Sequence, residues 1–217
     1  MKNILFDLDG TLTDPFIGIC SAVAYGLKSQ NIEPPELEML KPFIGPPLDE
    51  SYQKYYGMDE ETSWKAVEKF REYFNRQGKF ENKVYKGIEE CLQKLQDNDF
   101  HLYVCTSKPI VFAKEILEYF QLDSYFLGIY GSELDGTRKK KADVIAFCLN
   151  QEKLETNECI MVGDRMHDII GAHTHHIPCI GVLYGYGNQK EFEDYHCDYI
   201  VETIDDLCRL LIEMKSY

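Results

Sequence analysis

Two aspartates stand two residues apart near the start of the chain, Asp7 and Asp9, in the run MKNILFDLDGTLT. The run Asn3 to Leu8 is apolar apart from Asp7, the pattern of a buried strand whose end carries chemistry. Carboxylates two positions apart at a strand end point to the same side. Negative charge gathered at a buried site calls for a cation, and for oxygen ligands the natural one is Mg²⁺. Asp9, Gly10 and Thr11 form a polar turn whose backbone N–H groups can face a ligand. Taken alone, the pair also suits an acidic surface turn, because Asp-Gly is a common turn dipeptide. The rest of the chain separates these readings.

The elements that must position the pair follow from periodicity. Phe16 to Gln30 is helical, with Ile17, Cys20, Ala24 and Leu27 on one face, and leads to the breaker Pro34-Pro35. A second breaker, Gly45-Pro46-Pro47, precedes a helix from Leu48 to Tyr56, which Gly57 stops. Asp59 is placed to cap a long helix reaching about Gln77, with Trp64, Val67, Phe70 and Phe74 at three- and four-residue spacing. Residues 14–83 therefore read as an all-helical insert with no convincing strand, between a segment 1–13 and a segment 84–217.

From Val84 the pattern changes. A helix over Gly87 to Asp97 is followed by a strand over His101 to Cys105, ending in Thr106-Ser107-Lys108-Pro109. Pro109 suits the first turn of a helix running to about Phe120. Strands at Phe126 to Tyr130, Cys159 to Val162, Cys179 to Leu183 and Tyr199 to Val201 alternate with helices starting at Ala142, Ile169 and Ile204. Such alternation predicts an α/β fold: right-handed crossovers and a parallel sheet covered on both faces.

Composition narrows the class. The 217 residues include 44% hydrophobic and 28% charged side chains, with a net charge of −14. A pI near 4.8 argues against binding nucleic-acid polymers or anionic membranes through a global basic field, while leaving room for a small positive pocket. No stretch reaches transmembrane length, and Asp7 and Asp9 interrupt the only early apolar run, which is unlike a signal peptide. Eight cysteines lie scattered without a CxxC pair, mostly inside apolar segments, and read as reduced thiols of a cytoplasmic protein.

In a parallel sheet ligands bind at the carboxyl ends of the strands. Standing there are Asp7 and Asp9, Thr106 and Ser107, the lysines 139–141, and Asp164 with Asp168. Acids to hold a divalent metal, a nucleophilic carboxylate, and a lysine with a hydroxyl to bind equatorial oxygens are what phosphoryl transfer needs.

Four segments carry a resemblance to the haloacid dehalogenase superfamily, in its phosphatase branch: FDLDGTLTD (6–14), VCTS (104–107), Lys141 opening a helix, and VGDRMHD (162–168). The resemblance spans essentially the whole chain. It implies a Rossmann-like core of residues 1–13 and 84–217, with residues 14–83 as an inserted helical cap. It also implies roles. Asp7 attacks phosphorus and becomes an aspartyl-phosphate, and Asp9 is general acid and then general base. Thr106 and the N–H groups near Gly10 bind the phosphoryl oxygens, and Lys141 neutralises them. Mg²⁺ is held by Asp7, the Asp9 carbonyl and Asp164, with Asp168 beside or on the metal. Asp9 distinguishes phosphate-ester chemistry from the dehalogenases, which lack it.

Within the superfamily, FIGPPL (43–48) and GSELDGTRKKKADVI (131–145) resemble the 5′-nucleotidase-like group, with phosphoglycolate phosphatases as near relatives. The expected partner is a small phosphorylated metabolite. A sugar phosphomutase shares the aspartate pair. A non-catalytic binding protein on the same fold would not require both Asp7 and Asp9. The loop after Lys41 offers Phe43, Ile44, Gly45, Pro46 and Pro47, an apolar surface for a base, or equally a plain turn. Lys41 is its only nearby cation. His173, His175 and His176 read as structural or surface histidines, because no cysteine accompanies them at zinc spacing. Lys139 and Lys140 read as solvated charge, and most aromatics of 14–83 as core.

Overall fold

Residues 1–215 are described in the computed structural model. The chain opens with β1 (Asn3–Phe6), whose four residues are all buried. It passes through a two-residue strand, β2 (Thr13–Asp14), into α1 (Phe16–Ser29), a 3₁₀ stretch at Leu37–Phe43, α2 (Leu48–Tyr56) and α3 (Glu60–Arg76). A second short strand, β3 (Lys83–Val84), then pairs with β2. These two strands, unseen in the sequence, are too short to show a period of two. By its contacts the chain divides into two compact units: Met1–Thr13 with the chain from Val84 onward, and Asp14–Lys83.

The helical unit is built as its patterning dictates. The Asp59 side chain accepts a hydrogen bond from Thr62 N–H at 2.8 Å and caps α3. Ala66, Val67, Phe70 and Phe74 of α3 are buried, with the Phe70 and Phe74 rings stacked at 5.3 Å. Full burial of each such side chain contributes about 1.5–3 kcal/mol. Trp64, in the same helix, is half-buried with the Arg71 guanidinium 5.7 Å from its ring. Gly57 ends α2 at φ +65°, its N–H returning to Gln53 O at 2.9 Å. That left-handed conformation suits glycine.

The other unit continues with α4 (Ile88–Asp97), β4 (His101–Pro109), α5 (Ile110–Tyr119), β5 (Gly128–Ser132) and α6 (Lys141–Glu152). It closes with β6 (Cys159–Gly163), α7 (Met166–Thr174), β7 (Cys179–Val182), α8 (Gln189–Asp194), β8 (Tyr199–Val201) and α9 (Ile204–Lys215). β1 and the last five strands form a parallel six-stranded sheet in the order β5-β4-β1-β6-β7-β8. Leu5, Tyr103, Cys105, Cys159, Met161 and Cys179 point to one face, against Val144, Ile145 and Cys148 of α6 and Ile169 and Ala172 of α7. Ile4, Phe6, Val104, Ile160 and Val162 are buried on the other face by alternation.

Two further elements differ from expectation. β4 runs through Thr106 to Pro109 instead of ending at Cys105, because a register shift between Cys105 and Pro109 lets it resume pairing with β5. α8 is unexpected, having one buried apolar residue, Phe192, in six; its one sequence signal is the cap, Asn188 Oδ1 accepting from Glu191 N–H at 3.0 Å. No helix among the described residues is long and apolar enough to cross a membrane.

Candidate active site

The strand order reverses at β1, with β4 on one side and β6 on the other. In an open α/β sheet this is where a crevice forms at the carboxyl ends. Asp7 follows β1 directly, and its N–H extends the ladder to Val162 O at 2.9 Å. Asp164 follows β6, Asp168 lies in the first turn of α7, and Lys141 is the first residue of α6. Three separate stretches of sequence thus deliver their side chains to one edge.

There the carboxylates of Asp7, Asp164 and Asp168 offer oxygens that all lie within 4.8 Å of one another, and all three residues are buried. Lys141 Nζ sits 2.8 Å from Asp7 Oδ1, 2.8 Å from Asp168 Oδ1 and 3.0 Å from Cys105 O. Leu8 N–H also donates to Asp7 Oδ1, at 2.7 Å. Tyr186 N–H donates to Asp164 Oδ2 at 2.8 Å, and Arg165 N–H to Asp168 Oδ2 at 3.0 Å. Gly10, at φ +84°, lies so close that a Cβ there would stand 2.0 Å from Asp164 Oδ2. No other residue fits that position.

The electrostatics follow from crowding without water. Burial, then the charges of Asp168 and Asp7, push the Asp164 carboxyl well above the ordinary range. Asp168 is pushed up to about 6, chiefly by burial, with Lys141 acting against the rise. Burial works to lower the Lys141 value, but Asp168 and Asp7 more than offset it and hold the ammonium above the usual lysine range. Unit charges about 4 Å apart repel by roughly 4 kcal/mol at an effective dielectric near 20. One lysine among three acids leaves that repulsion incompletely balanced. Asp164 Oδ1 is moreover buried with no hydrogen-bond partner among the described residues. An all-oxygen set with an orphaned buried oxygen and surplus negative charge is consistent with a divalent metal.

Asp9 stands apart from the triad. Lys108 Nζ lies 2.5 Å from Asp9 Oδ2, and both side chains are buried. Burial raises the Asp9 carboxyl, with Lys108 opposing. Lys108 went unassigned in the sequence, because the register shift between Cys105 and Pro109 breaks the alternation that would relate it to Thr106. Thr106 is buried, and its Oγ1 accepts from Lys108 N–H at 3.3 Å. Ser107 is half-buried, its carbonyl accepting from Ser132 Oγ at 2.8 Å. Sequence reasoning also missed Glu191 of α8. Its carboxylate accepts from Met166 N–H at 2.7 Å and Arg165 Nε at 3.1 Å, tying down the start of α7.

Other expectations need correction. Gly10 and Thr11 do not hold out their N–H groups. Gly10 N–H donates to Thr13 O at 2.7 Å and Thr11 N–H to Leu8 O at 3.3 Å, because the turn closes on itself. In the helical unit Phe43 and Ile44 are 2% and 1% exposed, so they offer no open surface. Phe43 packs among Tyr52, Tyr55 and Tyr56 at centroid distances of 5.1, 5.6 and 6.1 Å. Gly45 takes φ +102°, Pro46 and Pro47 are half-buried, and Lys41 pairs with Glu38 at 2.5 Å. The three histidines need no correction as structural or surface residues: His173 Nε2 meets Asp198 Oδ2 at 2.9 Å, His175 Nε2 meets Ala142 O at 2.8 Å, and His176 takes φ +57°.

A parallel α/β sheet with three buried aspartates and a lysine at its switch point is an acid-cluster site, consistent with an enzyme that uses a divalent metal. The chain belongs to the haloacid dehalogenase-like hydrolase family, whose model matches residues 4–182. It is 50% identical over 189 residues to a 5′-nucleotidase of Pseudomonas aeruginosa, covering 87% of this chain and 86% of that one. It is 35% identical over 207 residues to the tyrosine-protein kinase PtkA of Mycobacterium tuberculosis, covering 94% and 70%. A crystal structure of a predicted phosphatase from Clostridium acetobutylicum superposes with a TM-score of 0.96 at 46% identity, over 98% of both chains.

Proposed function

We propose that this protein is a Mg²⁺-dependent phosphatase that hydrolyses nucleoside 5′-monophosphates through an aspartyl-phosphate on Asp7. The observation that carries the reading is the gathering of Asp7, Asp164 and Asp168 around Lys141 at the end of the central strand. Leu8 N–H and Lys141 both hold Asp7 Oδ1, which leaves the other carboxylate oxygen to attack phosphorus as the ester P–O bond breaks. Asp9 gives a proton to the departing alkoxide and later takes one from the water that hydrolyses the acyl phosphate. The Thr106 hydroxyl, Ser107 and the Lys141 ammonium bind the phosphoryl oxygens. Asp7, Asp164, Asp168 and the Asp9 carbonyl would hold the metal. Bound there, Mg²⁺ supplies positive charge that offsets the repulsion between carboxylate and phosphate.

The P. aeruginosa relative's name favours a nucleotide. The eight free cysteines suit a reducing, cytoplasmic setting, and a small phosphorylated metabolite is the partner.

The test is release of inorganic phosphate by purified protein, comparing kcat/KM for purine and pyrimidine monophosphates with that for 2-phosphoglycolate. Nucleotides should be preferred, chelation should abolish turnover, Mg²⁺ should restore it, and Ca²⁺ should inhibit by expanding the coordination shell. A preference for phosphoglycolate would overturn the substrate assignment. Turnover undiminished in excess chelator would overturn the metal. Phosphoryl transfer to an acceptor hydroxyl without phosphate release would make the protein a mutase-type transferase.

A further inference from the structure

We propose that Lys108 is the positioning residue for Asp9. It fixes Oδ2 of that carboxylate, so that Oδ1 is the oxygen that hands the proton to the leaving group and later takes one from water. The proposal rests on the reading of Asp9 as acid and base given above, and two separate observations carry it. Lys108 Nζ lies 2.5 Å from Asp9 Oδ2, between side chains only 6% and 11% exposed. Asp9 Oδ1, by contrast, is buried with no hydrogen-bond partner among the described residues. A buried polar atom without a partner calls for an explanation, and beside the Thr106 hydroxyl a ligand atom supplies one.

The backbone explains how a lysine comes to stand there. The register shift between Cys105 and Pro109 carries β4 past Thr106, and Lys108 N–H turns back to Thr106 Oγ1 at 3.3 Å. Ser132 Oγ braces the same stretch through Ser107 O at 2.8 Å. The phosphoryl-binding hydroxyl and the ammonium are thus held by one short segment. A carboxylate left to itself turns about its last bond and offers either oxygen. A proton donor must instead sit within hydrogen-bond reach of the atom it serves.

The experiment uses Lys108→Met and Lys108→Arg, with Asp9→Asn as reference, at saturating Mg²⁺. Each is assayed on a nucleoside 5′-monophosphate, whose alkoxide must be protonated to leave, and on p-nitrophenyl phosphate, whose phenolate leaves unaided. In Lys108→Met, kcat/KM for the nucleotide should fall about 10- to 100-fold, less than the roughly 10²–10⁴-fold of a lost general acid because Asp9 itself remains. The value for p-nitrophenyl phosphate should stay within a few-fold of wild type. Hydrolysis of the phosphoenzyme should slow, giving a burst of nitrophenolate that approaches the enzyme concentration. Lys108→Arg should recover most of the nucleotide activity.

Equal losses on both esters, or none on either, would overturn the proposal, since Lys108 would then serve phosphate binding or nothing in the reaction. A leaving-group-selective loss in Asp9→Asn with a uniform loss in Lys108→Met removes only the role of Lys108. A uniform loss in Asp9→Asn removes the acid–base reading and the proposal with it. Should Lys108→Met not fold, Lys108→Gln carries the same comparison with the charge removed and a donor kept.

Discussion

At the scale of single residues, Asp7 bears the heaviest claim. Asp7→Asn keeps the shape of the side chain and removes the attacking anion. Turnover of any phosphate ester should fall to background, while the circular dichroism spectrum matches wild type. Activity above about a hundredth of wild type would exclude Asp7 as nucleophile, because acid–base losses alone reach that size. Lys141 is held in the same network by two carboxylates, so its removal would leave both buried charges unbalanced, a change that typically costs about 3–5 kcal/mol. Loss of activity there would mix chemistry with folding, which makes Asp7 the cleaner substitution.

Secondary-structure elements follow the sequence wherever local physics decides the outcome. The caps are the clearest case: Asp59 before α3 and Gly57 after α2 both stand where their types require. Gly57 has φ +65° and nothing within 4 Å of where a Cβ would stand, so a larger residue meets only backbone strain. Gly57→Ala should lower stability by about 1 kcal/mol in urea unfolding, and Gly57→Asn by less, since asparagine tolerates the left-handed region better. A cost for Gly57→Asn as large as for Gly57→Ala would point to a contact instead of conformation. Chain order also places Asp7, Asp164 and Asp168 near strand ends, whereas the family resemblance singles out Lys141 from the lysines 139–141. Tertiary events hid the rest. The register shift in β4 brings Lys108 to Asp9, and the turn after β1 consumes the N–H groups of Gly10 and Thr11. The helical unit folds Phe43 inward among tyrosines from α2. None of these leaves a periodic trace.

On the scale of the whole molecule, the acid cluster links stability to pH and to metal. Asp164 and Asp168 are both raised in the fold, Asp168 to about 6, so the native protein binds protons that the unfolded chain has already released. Metal-free stability therefore falls as pH rises from the ordinary aspartate range through about 6. In chelator, the Tm of wild type should drop from pH 5 to pH 8 more steeply than that of Asp164→Asn, as read by scanning calorimetry. Saturating Mg²⁺ should flatten the wild-type slope and stabilise it by about 2.7 kcal/mol at a hundredfold excess over Kd. A variant with the same slope as wild type would mean that the cluster does not govern the dependence. The sequence has one tryptophan, Trp64, and it lies in α3 of the helical unit. Its emission is therefore a built-in optical reporter for that unit. Red-shift of the emission band during a denaturant titration will time the melting of α3. Any transition that the calorimeter detects and the fluorimeter does not belongs to the sheet that carries Asp7.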